Sequence, residues 1–214
     1  MKIIIFNILV ILMANLAWAD EQRFRIEGKT LFYDTDIIVD KEEDIEGDIT
    51  WEDVDKIETI LSENEIRLLN INSIGGYISA SYYLADLVID YDLDTNVSGT
   101  CESACTTVFL GGNQRTVDRG SRVGFHQSYW GAEAIEDYYN KSREEEGWQT
   151  PFEFASWLHQ DTQDEILTDL EYLIERGVSA AFAIKTLQAS SDDMWYPRRK
   201  ELEKAGVIKL RQED

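Results

Sequence analysis

The chain has 214 residues, with 42 acidic side chains against 20 basic ones and a formal net charge of −22 at pH 7. So acidic a surface repels nucleic acid and anionic lipid, and neither is an expected partner. Apolar residues make up 43% and aromatic residues 11%, enough to build a core, so the acidity belongs to a solvated surface and not to a disordered tail.

Met1-Lys2 leads into an apolar run from Ile3 to Ala19 that ends Ala17-Trp18-Ala19 before Asp20. A short positive start, an apolar centre and an A-x-A end describe a secretory signal peptide. Cleavage after Ala19 is expected, leaving residues 20–214 as one domain exported to the periplasm or beyond the cell. An uncleaved anchor is the alternative, although Asn7 and Asn15 interrupt the run. No later segment is long and apolar enough to span a membrane, so no stable insertion is expected after cleavage.

Residues 23–34 alternate about Gly28-Lys29 and predict a hairpin. The acidic stretch 40–48 reads as an exposed connection. From Trp51 to Leu61 the apolar spacing is helical, with Thr50 as N-cap. Ile66 to Ile71 predicts a buried strand, ended by the turn Asn72-Ser73-Ile74-Gly75-Gly76. A helix follows over 77–89, a short strand over 95–98, and a short helix from Ser103 to Leu110 that stops at Gly111-Gly112. The two strand–glycine–helix units at 66–89 and 95–110 suggest a coiled succession of similar modules. Arg122 to His126 reads as another strand.

The character changes from Ser128 to Arg176. Trp130, Tyr138, Tyr139, Trp148, Phe152, Phe154 and Trp157 are interleaved with acids, Pro151 opens a helix, and 164–176 is helical up to Gly177. This predicts an inserted helical arm over about 128–176. Its aromatics at helical spacing read as a core more readily than as a binding groove. A core helix over 179–187, a break at Trp195-Tyr196-Pro197, a helix over 198–205 and a closing strand over 207–210 complete the chain.

Ser103 lies between small residues in Cys101-Glu102-Ser103-Ala104-Cys105, where strand turns to helix. A serine hydroxyl needs a base to take its proton, a group to orient that base, and fixed N–H donors for the oxyanion. His126, one of two histidines, is the candidate base; Asp192 and Asp193 are the candidate acids; Gly75-Gly76 lies at an equivalent turn. Each part also has an ordinary reading: serine as N-cap, paired glycines as turn formers, histidine as a core residue, aspartates as a solvated turn. The two cysteines can form only one intramolecular bridge, Cys101–Cys105, or pack the turn as reduced residues.

Taken in order, Leu69-Asn70-Ile71-Asn72-Ser73-Ile74-Gly75-Gly76, then Gly99 through Cys105, then Gly124-Phe125-His126, resemble the Clp-type serine peptidases of the ClpP/crotonase superfamily. The likeness covers about 47–126 and 178–210 and is nearest to exported ClpP-like proteins with a cysteine–serine–cysteine turn. It implies an α/β spiral of strand-strand-helix units and a homo-oligomer. It further implies a triad of Ser103, His126 and Asp193, with oxyanion N–H groups from Gly76 and Ala104. Neither metal nor cofactor is called for.

Ile74 stands where the family has proline, Ala104 where it has methionine, and the interval from His126 to Asp193 is longer than the family's. Asp192 competes for the acid's place. The resemblance implies a serine hydrolase, a peptidase acting on peptide or unfolded-protein substrates. Export removes the cytosolic unfoldase, so no ATPase partner is expected. The competing reading is a catalytically inactive binding or scaffold protein on the same fold. A crotonase-type acyl-CoA enzyme ranks third, because export makes CoA an improbable ligand.

Overall fold

A computed structural model describes residues 22–37 and 48–210. The expected signal segment and most of the acidic connection at 40–48 lie outside the described residues. The chain divides into two compact units: one runs to Phe125 and resumes at Met194, and the other is His126–Asp193.

In the first unit, β1 (Phe24–Glu27) and β2 (Thr30–Asp34) form the expected hairpin, antiparallel with Phe24 opposite Tyr33. Helix α1 (Trp51–Glu63) starts at a reciprocal capping box. The Asp53 N–H donates to Thr50 Oγ1 and the Thr50 N–H to Asp53 Oδ2. β3 (Leu68–Ser73), α2 (Ile78–Asp90), β4 (Asp94–Glu102) and α3 (Cys105–Leu110) realise the two repeated modules. β2, β3 and β4 run parallel, in the register Phe32–Asn70–Asn96. Two short strands follow, β5 (Arg115–Val117) and β6 (Arg122–Gly124), both parallel to β4.

One sheet face is apolar, with Leu31, Tyr33, Leu69, Ile71, Val97 and Val117 all buried. The buried stripes of the helices supply Val54, Ile57, Leu84, Val88 and Phe109 to the core. Among the described residues, no helix is long and apolar enough to cross a membrane.

Two buried arginines close the ends of this core. The Arg23 guanidinium donates to both carboxylate oxygens of Asp53, at 3.0 and 2.8 Å, and to the carbonyls of Ile37 and Asp48. Arg115 donates to the carbonyls of Leu110, Gly112, Gly206 and Val207. Its backbone also bridges Lys209 in both directions. The closing strand expected over 207–210 is thus a single bridge, following α7 (Arg199–Ala205) and the left-handed Gly206. A planar guanidinium suits these sites because each N–H finds an oxygen in a fixed direction.

The second unit is the arm. It contains α4 (Ala132–Ser142), α5 (Pro151–Glu175) and α6 (Ala180–Thr186). Helix α5 is continuous across the two stretches read separately from sequence, with Pro151 in its first turn and a Thr150–Glu153 capping box. Trp148 stands 4.8 Å from Phe154 and 5.0 Å from Trp157, between ring centroids, and Tyr138 packs on all three. Four of the arm's aromatics therefore cluster about the buried Phe154, whereas Phe152 is 84% exposed and lies outside the cluster.

The Tyr33 hydroxyl donates to Asp53 Oδ2 at 2.6 Å, and burial, followed by the adjacent Asp53 charge, pushes its pKa well above the ordinary value. Folded Tyr33 keeps its proton where the unfolded chain has lost it, so this contribution is complete below about pH 10 and declines above it. Urea unfolding between pH 9 and pH 11 should show stability falling with pH in the wild type, with a shallower fall in Tyr33→Phe. At pH 7 that variant should lose about 1.5–3 kcal/mol, the scale of a hydrogen bond to a charged group.

Candidate active site

β4 carries the candidate nucleophile. Its first half pairs with β5 through Thr95 to Val97; its last residues, Thr100 to Glu102, pair with β6. The change falls at Gly99, whose φ is +129° and where a Cβ would stand 2.5 Å from Asn72 Oδ1. That oxygen accepts the Thr100 N–H, and Ser121 Oγ accepts the Gly99 N–H. Side chains thus satisfy the backbone donors that the broken ladder releases.

The strand ends at Ser103, whose N–H donates to the Gly124 carbonyl at 3.1 Å. Ser103 has φ +53°, one of two non-glycine residues in the left-handed region among the described residues. Ala104 returns to helical angles and α3 begins at Cys105. Ser103 therefore stands outside the helix that the sequence began with it. Ala104 holds the N-cap position and no side chain caps α3, so the N-cap reading of Ser103 is not realised. Of the five residues from Cys101 to Cys105, Ser103 is half-buried and the other four are buried. Cys101 and Cys105 are joined by a disulfide, with their Cα atoms 5.3 Å apart.

The glycine turn packs against this elbow. A Cβ at Gly75 would stand 2.8 Å from Ser103 Cβ and 3.2 Å from the Ala104 nitrogen. At Gly76 it would stand 2.2 Å from the Ile49 nitrogen. Both glycines have positive φ, +110° and +145°, so side chains are excluded twice over. Ile49 bridges the turn by donating its N–H to the Gly75 carbonyl and accepting from the Tyr77 N–H. The Gly75 N–H is taken by Ser73 Oγ. The Gly76 and Ala104 N–H groups donate no hydrogen bond among the described residues, and they flank Ser103 on two converging turns.

Glu102, Arg122 and Tyr196 form a cluster beside Ser103. The carboxylate of Glu102 accepts from the Tyr196 hydroxyl at 2.5 Å and pairs with Arg122 at 3.2 Å. The Arg122 guanidinium lies 4.8 Å over the Tyr196 ring. Burial, then the Glu102 contact, raises the Tyr196 pKa. The signal available in the sequence was an acid directly before the serine with an arginine on the next strand, but its tyrosine lies 94 residues away. A hollow of about 580 Å³ elsewhere on the first unit is lined by Asn70, Asn72, Asn96 and Ser98 on the polar sheet face, and none of the candidate residues reaches it.

His126 and Asp193 are the two ends of the arm unit. Phe125 and Trp195 exchange both backbone hydrogen bonds, so each candidate is one or two residues along the chain from a fixed pair. His126 Nδ1 is buried and has no hydrogen-bond partner among the described residues. The bond by which an acid would orient the imidazole is therefore not made. Asp192 accepts from Ser190 Oγ, which holds its carboxyl below the usual range, and the Asp193 N–H donates to the Ser190 carbonyl. The structure thus brings together Gly75, Gly76, Ser103 and Ala104, and leaves the histidine–acid contact open.

No protein-family model matches the chain, and no curated protein does. Among solved structures, the chain is similar to an asparagine-to-aspartate mutant of ClpP1 from Listeria monocytogenes. The TM-score is 0.54 at 18% identity, over 85% of this chain and 89% of that one. The mixed α/β chain has a ClpP-like fold.

Proposed function

We propose that this protein is an exported serine hydrolase, a peptidase of ClpP-like fold that cleaves short or unfolded chains without an ATPase partner and assembles as a homo-oligomer. Ser103 Oγ attacks the substrate carbonyl carbon. His126 accepts the hydroxyl proton and returns it to the leaving amine, and Asp193 orients the imidazole through Nδ1 in the working state. The N–H groups of Gly76 and Ala104 hold the oxyanion, each contributing on the order of 10²–10³ in rate. Water then releases the acyl group by the same route in reverse.

The observation that carries this reading is the Ser103 elbow. A non-glycine residue in the left-handed region, half-buried between buried neighbours and flanked by two uncommitted backbone donors, is costly to build and is not explained by packing alone. The disulfide supports an oxidising compartment. A second reading, a non-catalytic scaffold on the same fold, is favoured by the unpartnered Nδ1 of His126.

A fluorophosphonate probe decides between them. The hydrolase reading expects covalent labelling of folded protein at Ser103, and activated-ester hydrolysis that falls by at least about 10³-fold in Ser103→Ala. Absence of labelling, or equal hydrolysis by that variant, establishes the scaffold.

His126→Ala tests the base: kcat/KM for an activated ester should fall by about 10²–10⁴-fold, the share that a positioned general base contributes.

Gly75→Ala tests the fit of the two turns. Its Cβ would displace Ser103, so kcat should fall by about 100-fold, the cost of a misplacement near 1 Å, while circular dichroism keeps its wild-type helical signal.

A further inference from the structure

We infer that the Cys101–Cys105 disulfide is a positioning device for Ser103, so that the site works only while the bridge is closed. This rests on the reading of Ser103 as nucleophile.

The bridge closes a ring of backbone with Ser103 at its middle, two residues from each sulfur. Both anchors sit on rigid elements. Cys101 is paired with Ser73 of β3 on one side and Val123 of β6 on the other. Cys105 opens α3, whose Val108, Phe109 and Leu110 are fully buried. Only the torsions of Glu102, Ser103 and Ala104 lie between the anchors.

Those torsions include one that serine does not choose. The other left-handed non-glycine residue, Asp92, is of a type that tolerates this region, and its carboxylate accepts a hydrogen bond from Asn113. Ser103 has a β4 residue before it and a helical Ala104 after it. Its relaxed alternative is the right-handed region, which would start the helix one residue earlier. That change would turn the Ala104 N–H away from Gly75 and swing the hydroxyl off the elbow. Because a covalent bridge confines the separation of the anchoring Cα atoms, 5.3 Å here, the φ and ψ torsions of these three residues cannot relax independently.

The global fold does not need this bridge to the same degree. Strand pairing and helix packing hold each cysteine separately, and so short a closed loop removes little entropy from the unfolded chain. Both cysteines are buried, so the bond is no surface tether between mobile segments.

The test compares oxidised and reduced protein. Dithiothreitol attacks one sulfur and the S–S bond breaks. Two electrons pass to the protein, leaving Cys101 and Cys105 as thiols, and the reagent closes to its cyclic disulfide. With both thiols titrated, kcat for an activated ester and the fluorophosphonate labelling rate should fall about 100-fold, while KM and the far-UV circular dichroism hold. Reoxidation should restore both rates. The double variant Cys101→Ala/Cys105→Ala should be slow with or without dithiol.

Equal labelling of oxidised and reduced protein overturns this inference alone. Loss of the far-UV signal together with activity on reduction also overturns it, since the bridge is then a stability element. Where the double variant does not fold, the reduction arm decides by itself. Failure of oxidised protein to label removes the nucleophile reading, and this inference with it.

Discussion

β4 is required to pair with two strands in succession on one of its edges, and the site depends on how it does so. Between Val97 and Thr100 the ladder to β5 ends and the ladder to β6 begins. A strand cannot make that change with every backbone donor still in the sheet. Gly99 takes the left-handed torsion, Ser121 accepts its N–H, and Asn72 accepts the next one. Past this point β4 lies beside β6, and Ser103 can hang its N–H on the Gly124 carbonyl. The glycine turn reaches Ser103 because Asn72 and Ser73 end β3 at the same level, Ser73 opposite Cys101. The hinge in β4 therefore sets the height at which the two turns meet.

Electrostatics imposes a second condition. With a net charge of −22, acids are hard to keep away from any site on this chain, and an anion beside a developing oxyanion opposes it. Glu102 is the acid nearest Ser103 in the chain. Its carboxylate is committed to Tyr196 and Arg122, so its charge is compensated locally. On α5 the acids crowd one another, and Glu165 is held above the ordinary carboxyl range by partial burial and by Asp161 and Asp169. The rule that buried charges are paired holds at Arg23 with Asp53 and at Glu102 with Arg122.

What the sequence discloses follows from the range of the interaction. Thr50 and Asp53 are three residues apart and their capping box is legible; so are the N-terminal hairpin about Gly28 and Pro151 in the first turn of α5. The glycine and serine turns are legible as turns. That Ser103 is left-handed is not, because nothing in serine demands it and the conformation comes from the strand, the helix and the packed Gly75 together. β5 is not legible in the sequence because three residues, one of them Arg115, carry no apolar alternation to read. Arg115 is buried only because carbonyls from Gly206 and Val207 arrive from the far end of the chain. The open Nδ1 of His126 is likewise a tertiary outcome.

The departures at Ile74 and Ala104 bear on side chains, whereas the two candidate oxyanion donors are backbone N–H groups. What a proline ring supplies to a turn is a fixed torsion. Here Ile74 is 44% exposed and supplies none of that stiffness. The turn is held instead by hydrogen bonds on both sides of the glycines. Ser73 Oγ takes the Gly75 N–H, and Ile49 joins the Gly75 carbonyl and the Tyr77 N–H across a parallel bridge. These bonds consume the groups on either side of Gly76 and leave its own N–H unspent. On the facing turn Ala104 keeps its N–H because α3 begins one residue later. Rigidity has been moved from a side chain into the backbone network, and the donors that the chemistry would use are the ones this network leaves over.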